Sequence, residues 1–154
     1  MENTKINTRE DENYIYVKNI AQDIEAYADS DMYKCPHCDA KIDIKDYDVE
    51  HDDEDPCLVT CPECEEQFDI MDADHCDMWD YFEDCLDIEF RIDGRRQYKS
   101  VCITVTCGGP NVYVDTGSGR VELYWWGERA EYGLSKQAAD LIDECFEQLY
   151  DDLC

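Results

Sequence analysis

Two ten-residue blocks carry the densest chemistry in this chain: Cys35-Pro-His-Cys-Asp-Ala-Lys-Ile-Asp-Ile44 and Cys61-Pro-Glu-Cys-Glu-Glu-Gln-Phe-Asp-Ile70. Each opens with Cys-Pro-x-Cys and later places an apolar residue and Asp-Ile at the same offset. Thiolates are soft ligands, and two such turns facing one another bring four sulfurs to one tetrahedral cation, for which Zn²⁺ is the usual occupant. Cys35, Cys38, Cys61 and Cys64 are therefore the expected metal ligands. The gap of 22 residues between the pairs slightly exceeds the usual window for such sites. A hairpin with a long acidic tip accommodates it. Four cysteines leave no open position for a water, so the ion is structural rather than catalytic. A thioredoxin-like redox pair is the competing reading, but such a Cys-x-x-Cys is single and sits at a helix start, whereas these are duplicated and flanked by strand-forming residues.

Those flanks define the element that must hold the ligands. Met32-Tyr33-Lys34 leads into the first turn and Lys41-Ile42-Asp43-Ile44 leads out; Cys57-Leu58-Val59-Thr60 and Gln67-Phe68-Asp69-Ile70 do the same for the second. Each proline presets φ and removes a donor, leaving the other backbone N–H groups of the turn to bond the sulfurs. On these motifs residues 31–73 resemble a zinc ribbon, a resemblance that implies a metal and a local fold of two hairpins without implying any one function. His37, His51 and His75 are expected on the surface because the sulfur set is already complete. Cys57 and Cys76 lie near enough to be reserve ligands. Cys85, Cys102, Cys107 and Cys145 read as small buried hydrophobes, and Cys154 as a frayed end.

Charge is the second large fact. The 154 residues include 40 Asp and Glu against 13 Lys and Arg, a net charge of −27. An apolar fraction of 44% still supplies a core, which argues against wholesale disorder. Direct binding to nucleic-acid phosphates is excluded as a function, since like charges would meet. Solubility, a halophilic origin or a strongly basic partner each account for such a balance. Eleven cysteines first suggest a disulfide scaffold. The odd count, the paired Cys-Pro-x-Cys turns and an opening Met1–Glu10 without an apolar core point instead to a cytoplasmic protein. No apolar run is long enough to span a membrane.

The remaining elements follow from periodicity. Within residues 1–30, Tyr14-Ile15-Tyr16-Val17 suggests a short strand, and Ile20, Ile24, Tyr27 and Ala28 a helix from near Asn19 to Ser30. The acidic run 46–56 reads as a solvated, partly mobile hairpin tip or a contact surface, and lacks the glycine and terminal glutamate of a calcium loop. Residues 74–154 read as a separate α+β unit. Met78, Trp79, Phe82, Cys85 and Leu86 mark a helix, and strands follow at 87–92, 101–106, 112–115 and 120–126 with a hairpin signal at Thr116–Gly119. A final helix has Ser135 as N-cap and Ala138, Leu141, Ile142, Cys145, Leu149 and Leu153 as its apolar stripe. The expected fold class is α+β: a zinc-ribbon module plus an antiparallel meander packed with two helices.

No phosphate loop, nucleophile elbow or His-Glu-x-x-His is present, and no catalytic constellation stands out, so an enzyme, for instance one acting on basic peptides, is not expected. Acidic stripes oppose the apolar faces of the two C-terminal helices instead: Asp77, Asp80, Asp84 and Asp87 on one, Asp140, Asp143, Glu144, Glu147 and Asp151 on the other. Like charges at these spacings cost helix stability. A solvated face is the bland explanation; imitation of a phosphate row is the functional one. In composition and architecture the chain resembles the acidic DNA-mimic inhibitors of phages and mobile elements, the anti-CRISPR and antirestriction proteins. That resemblance implies a decoy that occupies the basic nucleic-acid-binding channel of a protein or nucleoprotein partner. The alternative is a zinc-ribbon adaptor of transcription or replication machinery.

Overall fold

The computed structural model describes residues 8–153. It is a mixed α+β protein with three helices and three antiparallel sheets. Helix α1 spans Thr8–Asp29. The two cysteine turns then follow within β1 (Met32–Lys34), β2 (Lys41–Asp43), β3 (Glu50–His51), β4 (Leu58–Thr60), β5 (Gln67–Asp69) and β6 (Asp74–His75). A single helical turn, α2 (Met78–Tyr81), leads into β7 (Asp87–Ile92), β8 (Tyr98–Thr106), β9 (Asn111–Asp115), β10 (Arg120–Trp125) and β11 (Glu128–Gly133), and α3 (Lys136–Leu153) closes the chain.

Strands β7 to β11 form one meander in chain order. Their inward side chains, Val101, Ile103, Val112, Val114, Val121 and Leu123, are buried with Val17, Ala21 and Ile24 of α1 and Ala138, Ile142 and Phe146 of α3. The sheet is thus half-buried, helices on one face and solvent on the other, which explains its alternating pattern. Ser135 caps α3 as its sequence promises: its Oγ accepts the N–H of Ala138 at 3.1 Å. The Glu25 carboxylate of α1 in turn takes the Ser135 N–H and hydroxyl at 2.6 and 2.7 Å.

Three expectations change. Tyr14–Val17 is no strand but the second turn of α1, which begins well before Asn19. Val17, Ala21 and Ile24 meet the sheet, and the tyrosines that lend the run its strand-like composition face out. The helix expected from Met78 to Leu86 ends at Tyr81. The chain then turns, Cys85 N–H bonding Phe82 O and Leu86 N–H bonding Thr104 O, so that it enters the sheet as β7. The two long helices on the sheet are therefore α1 and α3. Finally, β11 is a six-residue edge strand that pairs fully with β10 yet was not expected.

A second, smaller core of Cys35, Ile42, Val49, Val59, Cys61 and Phe68 belongs to two three-stranded sheets, β2-β1-β6 and β3-β4-β5. It is docked beside the larger core. Cys76 N–H bonds Met32 O, and Lys41 Nζ donates to Asp80 O and Glu83 at 3.0 and 3.3 Å.

Candidate metal centre and acidic surface

Each cysteine pair sits in the turn of its own hairpin, β1–β2 and β4–β5, and the two turns repeat one another bond for bond. Cys35 N–H reaches Ala40 O at 2.8 Å and Asp39 N–H reaches Cys35 O at 2.9 Å; Cys61 to Glu66 and Glu65 to Cys61 match at 2.9 and 2.8 Å. The residue after each second cysteine, Asp39 or Glu65, takes a left-handed φ of 62° or 63°. Side-chain-bearing residues adopt that region reluctantly, and here it aims successive N–H groups at the sulfurs.

Facing turns bring Cys35 Sγ to 3.7 Å from Cys64 Sγ and Cys38 Sγ to 3.6 Å from Cys61 Sγ. All four sulfurs lie within 4.8 Å of one another. A tetrahedral site with Zn–S bonds of about 2.3 Å has S···S edges of about 3.8 Å, so the cluster has the size such an ion requires. The four cysteines are positioned to bind a metal, consistent with a zinc-ribbon segment. Burial raises the thiol of Cys61, but backbone N–H groups of Cys64 and Glu63 and the neighbouring thiols outweigh it and draw it down to about 7. For Cys38 the Ala40 N–H pulls down, while desolvation and hydrogen bonds with Cys61, Cys35 and Cys64 together push it up to about 12. Sulfurs this close resist sharing negative charge among themselves, which is the problem a divalent cation solves.

The other cysteines and histidines stand apart from the cluster. Cys57 is half-buried and Cys76 buried, and neither belongs to the sulfur group. Cys107 is exposed rather than buried, and Cys85, Cys102 and Cys145 are only half-buried. Cys154 lies outside the described residues. His37, His51 and His75 are all exposed. His37 spans the hairpins, its Nε2 lying 3.3 Å from Gln67 O. His51 ties down the acidic segment, with Nδ1 3.0 Å from Pro56 O and Nε2 2.8 Å from Ile44 O.

The segment 46–56 is more ordered than a free tip. Asp46, Asp52 and Asp55 accept the N–H groups of Asp48, Glu54 and Cys57 at 3.0, 2.9 and 3.1 Å, and Glu50–His51 pairs with β4. Bonds from the Glu54 and Asp55 N–H groups hold the Asp52 carboxyl below its ordinary range.

The two acidic stripes fare differently. Asp77, Asp80, Asp84 and Asp87 do not share a helical face, because α2 ends at Tyr81 and Asp87 opens β7. Asp77 and Asp80 form a reciprocal capping box around α2, the arrangement that satisfies two orphan donors at a helix start. On α3, Asp140, Glu144, Glu147 and Asp151 are exposed on one face, while Asp143 is half-buried and accepts the Tyr98 hydroxyl at 2.7 Å. No basic residue occupies the last turn of α3, so its negative C-terminal pole is left uncompensated there.

One half-buried ion pair, with Asp115 buried and Arg91 exposed, has no sequence signal beyond a turn. Asp115 accepts both guanidinium nitrogens of Arg91 at 2.7 Å and the Gly117 N–H at 2.8 Å. Although burial opposes it, the Arg91 bond leads the contacts that keep the Asp115 carboxyl below its ordinary range. A Cβ at Gly117 would stand 2.6 Å from the guanidinium, so a larger residue there would displace the end of Arg91. Among the described residues no helix is long and apolar enough to cross a membrane. No protein-family model matches the chain, and no curated protein or solved structure matches it.

Proposed function

We propose that this protein is an acidic decoy, an inhibitor of the anti-CRISPR or antirestriction kind, whose carboxylates occupy the basic nucleic-acid-binding channel of a protein or nucleoprotein complex. A structural Zn²⁺ on Cys35, Cys38, Cys61 and Cys64 holds its ribbon together. The observation that carries the reading is the row Asp140, Glu144, Glu147, Asp151 on the open face of α3. At about 1.5 Å rise per residue the four charges are spread over roughly 16 Å of rigid helix. That is the same order of charge density as a nucleic-acid strand, with one charge per about 3.4 Å. Each like-charged pair at such spacing costs about 0.2–0.5 kcal/mol of helix stability, and the helix tolerates this because Ala138, Ile142 and Phe146 anchor its other face in the core. The mechanism is steric and electrostatic, with no catalytic step. A net charge of −27 steers the protein to a basic surface in an association that weakens steeply with salt.

The test is capture of partners on the immobilised protein at low and at high salt, followed by competition with nucleic acid for the captured protein. A partner that binds nucleic acid, releases it to the decoy and loses affinity sharply with salt supports the reading. A partner held equally at both salt concentrations overturns it.

The adaptor reading has one observation in its favour. Trp126 is 77% exposed at the β10–β11 turn with φ of 53°, an apolar anchor in a strained backbone position. An adaptor held by such an anchor would keep its partner in high salt.

A further inference from the structure

A cavity of about 480 Å³ opens where the end of α1, the β6–α2 link and the middle of α3 meet. Its volume falls in the range of small-ligand sites. Three distant chain segments build it. Ala28, Met78 and Leu141 supply apolar wall, and Asp77 of the β6–α2 link and Glu144 of α3 each bring a carboxylate. Glu144 is exposed and has no ionic partner among the described residues. The one histidine at the rim, His75, is turned away to Asp31 at 3.0 Å.

Tyr27 completes the wall. Its hydroxyl is buried and has no hydrogen-bond partner, an omission that ordinarily costs about 1–3 kcal/mol. Burial, then Cys76, Asp80, Asp77 and Glu83, push the phenol upward. The oxygen therefore stays neutral in a negative field, with its lone pairs available to a donor. A cavity that combines apolar wall with two carboxylates and an unsatisfied phenol oxygen suits a side chain with an aliphatic stem and a cationic head.

We infer that this cavity is the receptor for a basic side chain, the guanidinium or ammonium of an arginine or lysine presented by the protein's partner. The inference rests on the decoy reading for its partner and deepens it. A row of exposed acids attracts any basic surface, whereas a cavity selects one residue on it. Glu144 pairs with the cationic head, the Tyr27 oxygen accepts from it, and the stem lies against Met78 and Leu141. Asp77 contributes field more than contact, because its carboxylate already accepts the Trp79 and Asp80 N–H groups.

The experiment is a titration of the full-length, metal-loaded protein with N-acetylargininamide, followed by amide chemical shifts, with the neutral isostere N-acetylcitrullinamide as the paired probe. Saturable shifts at Ala28, Leu141 and Glu144 are expected with the arginine probe, and binding at least tenfold weaker with citrulline. Glu144→Gln weakens arginine binding about fivefold. Asp53→Asn, which removes an equal charge from the ribbon tip outside the cavity, leaves it within twofold. Tyr27→Phe separates binding from folding, since it weakens the probe while leaving the melting temperature unchanged or higher. Equal binding of both probes, equal losses in Glu144→Gln and Asp53→Asn, or the absence of saturable shifts at the cavity overturns the inference. Competition by a protein altered at Asp140, Glu147 and Asp151, none of which lines the cavity, tests the decoy reading separately, so the failure of one is distinguishable from the failure of the other.

Discussion

Removing the metal is the perturbation whose outcome the geometry determines most closely. Two thiolates 3.7 Å apart, as Cys35 and Cys64 stand, repel one another strongly when both are ionised. Even the widest of the six pairs lies within 4.8 Å, so every pair adds to that repulsion. Four thiolates this close need a divalent cation to offset their charge. A metal-free ribbon therefore cannot keep its sulfurs ionised and must protonate or splay apart. Native mass spectrometry should find one Zn²⁺ per chain, absent in Cys35→Ser and Cys64→Ser. Chelation in calorimetry should take up about three to four protons per ion released, read from buffers of different ionisation enthalpy. Amide spectra should then show signals of 31–75 collapsing, because two of the six buried residues of that core, Cys35 and Cys61, are themselves ligands. Signals of the five-stranded sheet, whose core contains no ligand, should persist. Uptake of fewer than two protons, or a metal-free protein with an intact ribbon closed by disulfides under reducing conditions, would refute the reasoning.

Other outcomes follow from single contacts. Asp115→Ala should lose about 3 kcal/mol, since it removes a charge-assisted bidentate bond and a turn bond; for a chain of this size that lowers Tm by about 6–12 °C, and a loss below about 1 kcal/mol would show that Arg91 finds another partner. Trp126→Asn should raise Tm by about 2–4 °C, because asparagine accepts the left-handed turn that tryptophan holds at a cost of about 1 kcal/mol; a fall would mean that the indole is buried against something in solution. Both ring nitrogens of His51 face carbonyl oxygens, which only the imidazolium satisfies as a double donor. Those two bonds, to Pro56 first and then Ile44, raise its pKa above 6.5. The staple is then complete below the ordinary histidine pKa and is lost as pH rises through the raised value. An NMR titration midpoint at or below 6.5 would contradict this.

The metal site was legible because its chemistry admits few substitutes: only cysteine in pairs at turn spacing assembles four sulfurs, and the repeat declares the two hairpins. Strands β7 to β10 and the Ser135-capped α3 were legible for a related reason, their apolar period matching the face they bury. What escaped was decided by tertiary contacts. Tyr14–Val17 has a strand's composition, yet Val17, Ala21 and Ile24 reach the sheet together only from a helix. Strand β11, Glu-Arg-Ala-Glu-Tyr-Gly, has weak strand propensity and is held by register with β10, with Ala130 and Tyr132 packed against the core. The Met78–Leu86 period fits a helix, but the chain must turn after Tyr81 to supply β7, and the acidic stripe laid on that helix dissolves with it. The cavity around Tyr27 joins three segments remote in sequence, so no local pattern announces it.

The central claim is that carboxylates on a rigid helix take the place of phosphates. The most direct measurement is the concentration of protein that displaces half of a labelled nucleic acid from the captured partner, compared among three proteins. One is wild type, one carries Asp140→Lys, Glu147→Lys and Asp151→Lys on α3, and one carries Asp53→Lys and Glu54→Lys at the ribbon tip. The α3 substitutions leave the Tyr98–Asp143 bond and the Glu144 cavity intact. The α3 protein should lose at least a hundredfold in competition and the tip protein should stay within about fivefold. This corresponds to about 1 kcal/mol for each of three screened contacts, at tenfold per 1.4 kcal/mol. Unchanged competition by the α3 protein, with loss in the tip protein, would contradict the claim and place the contact on the ribbon.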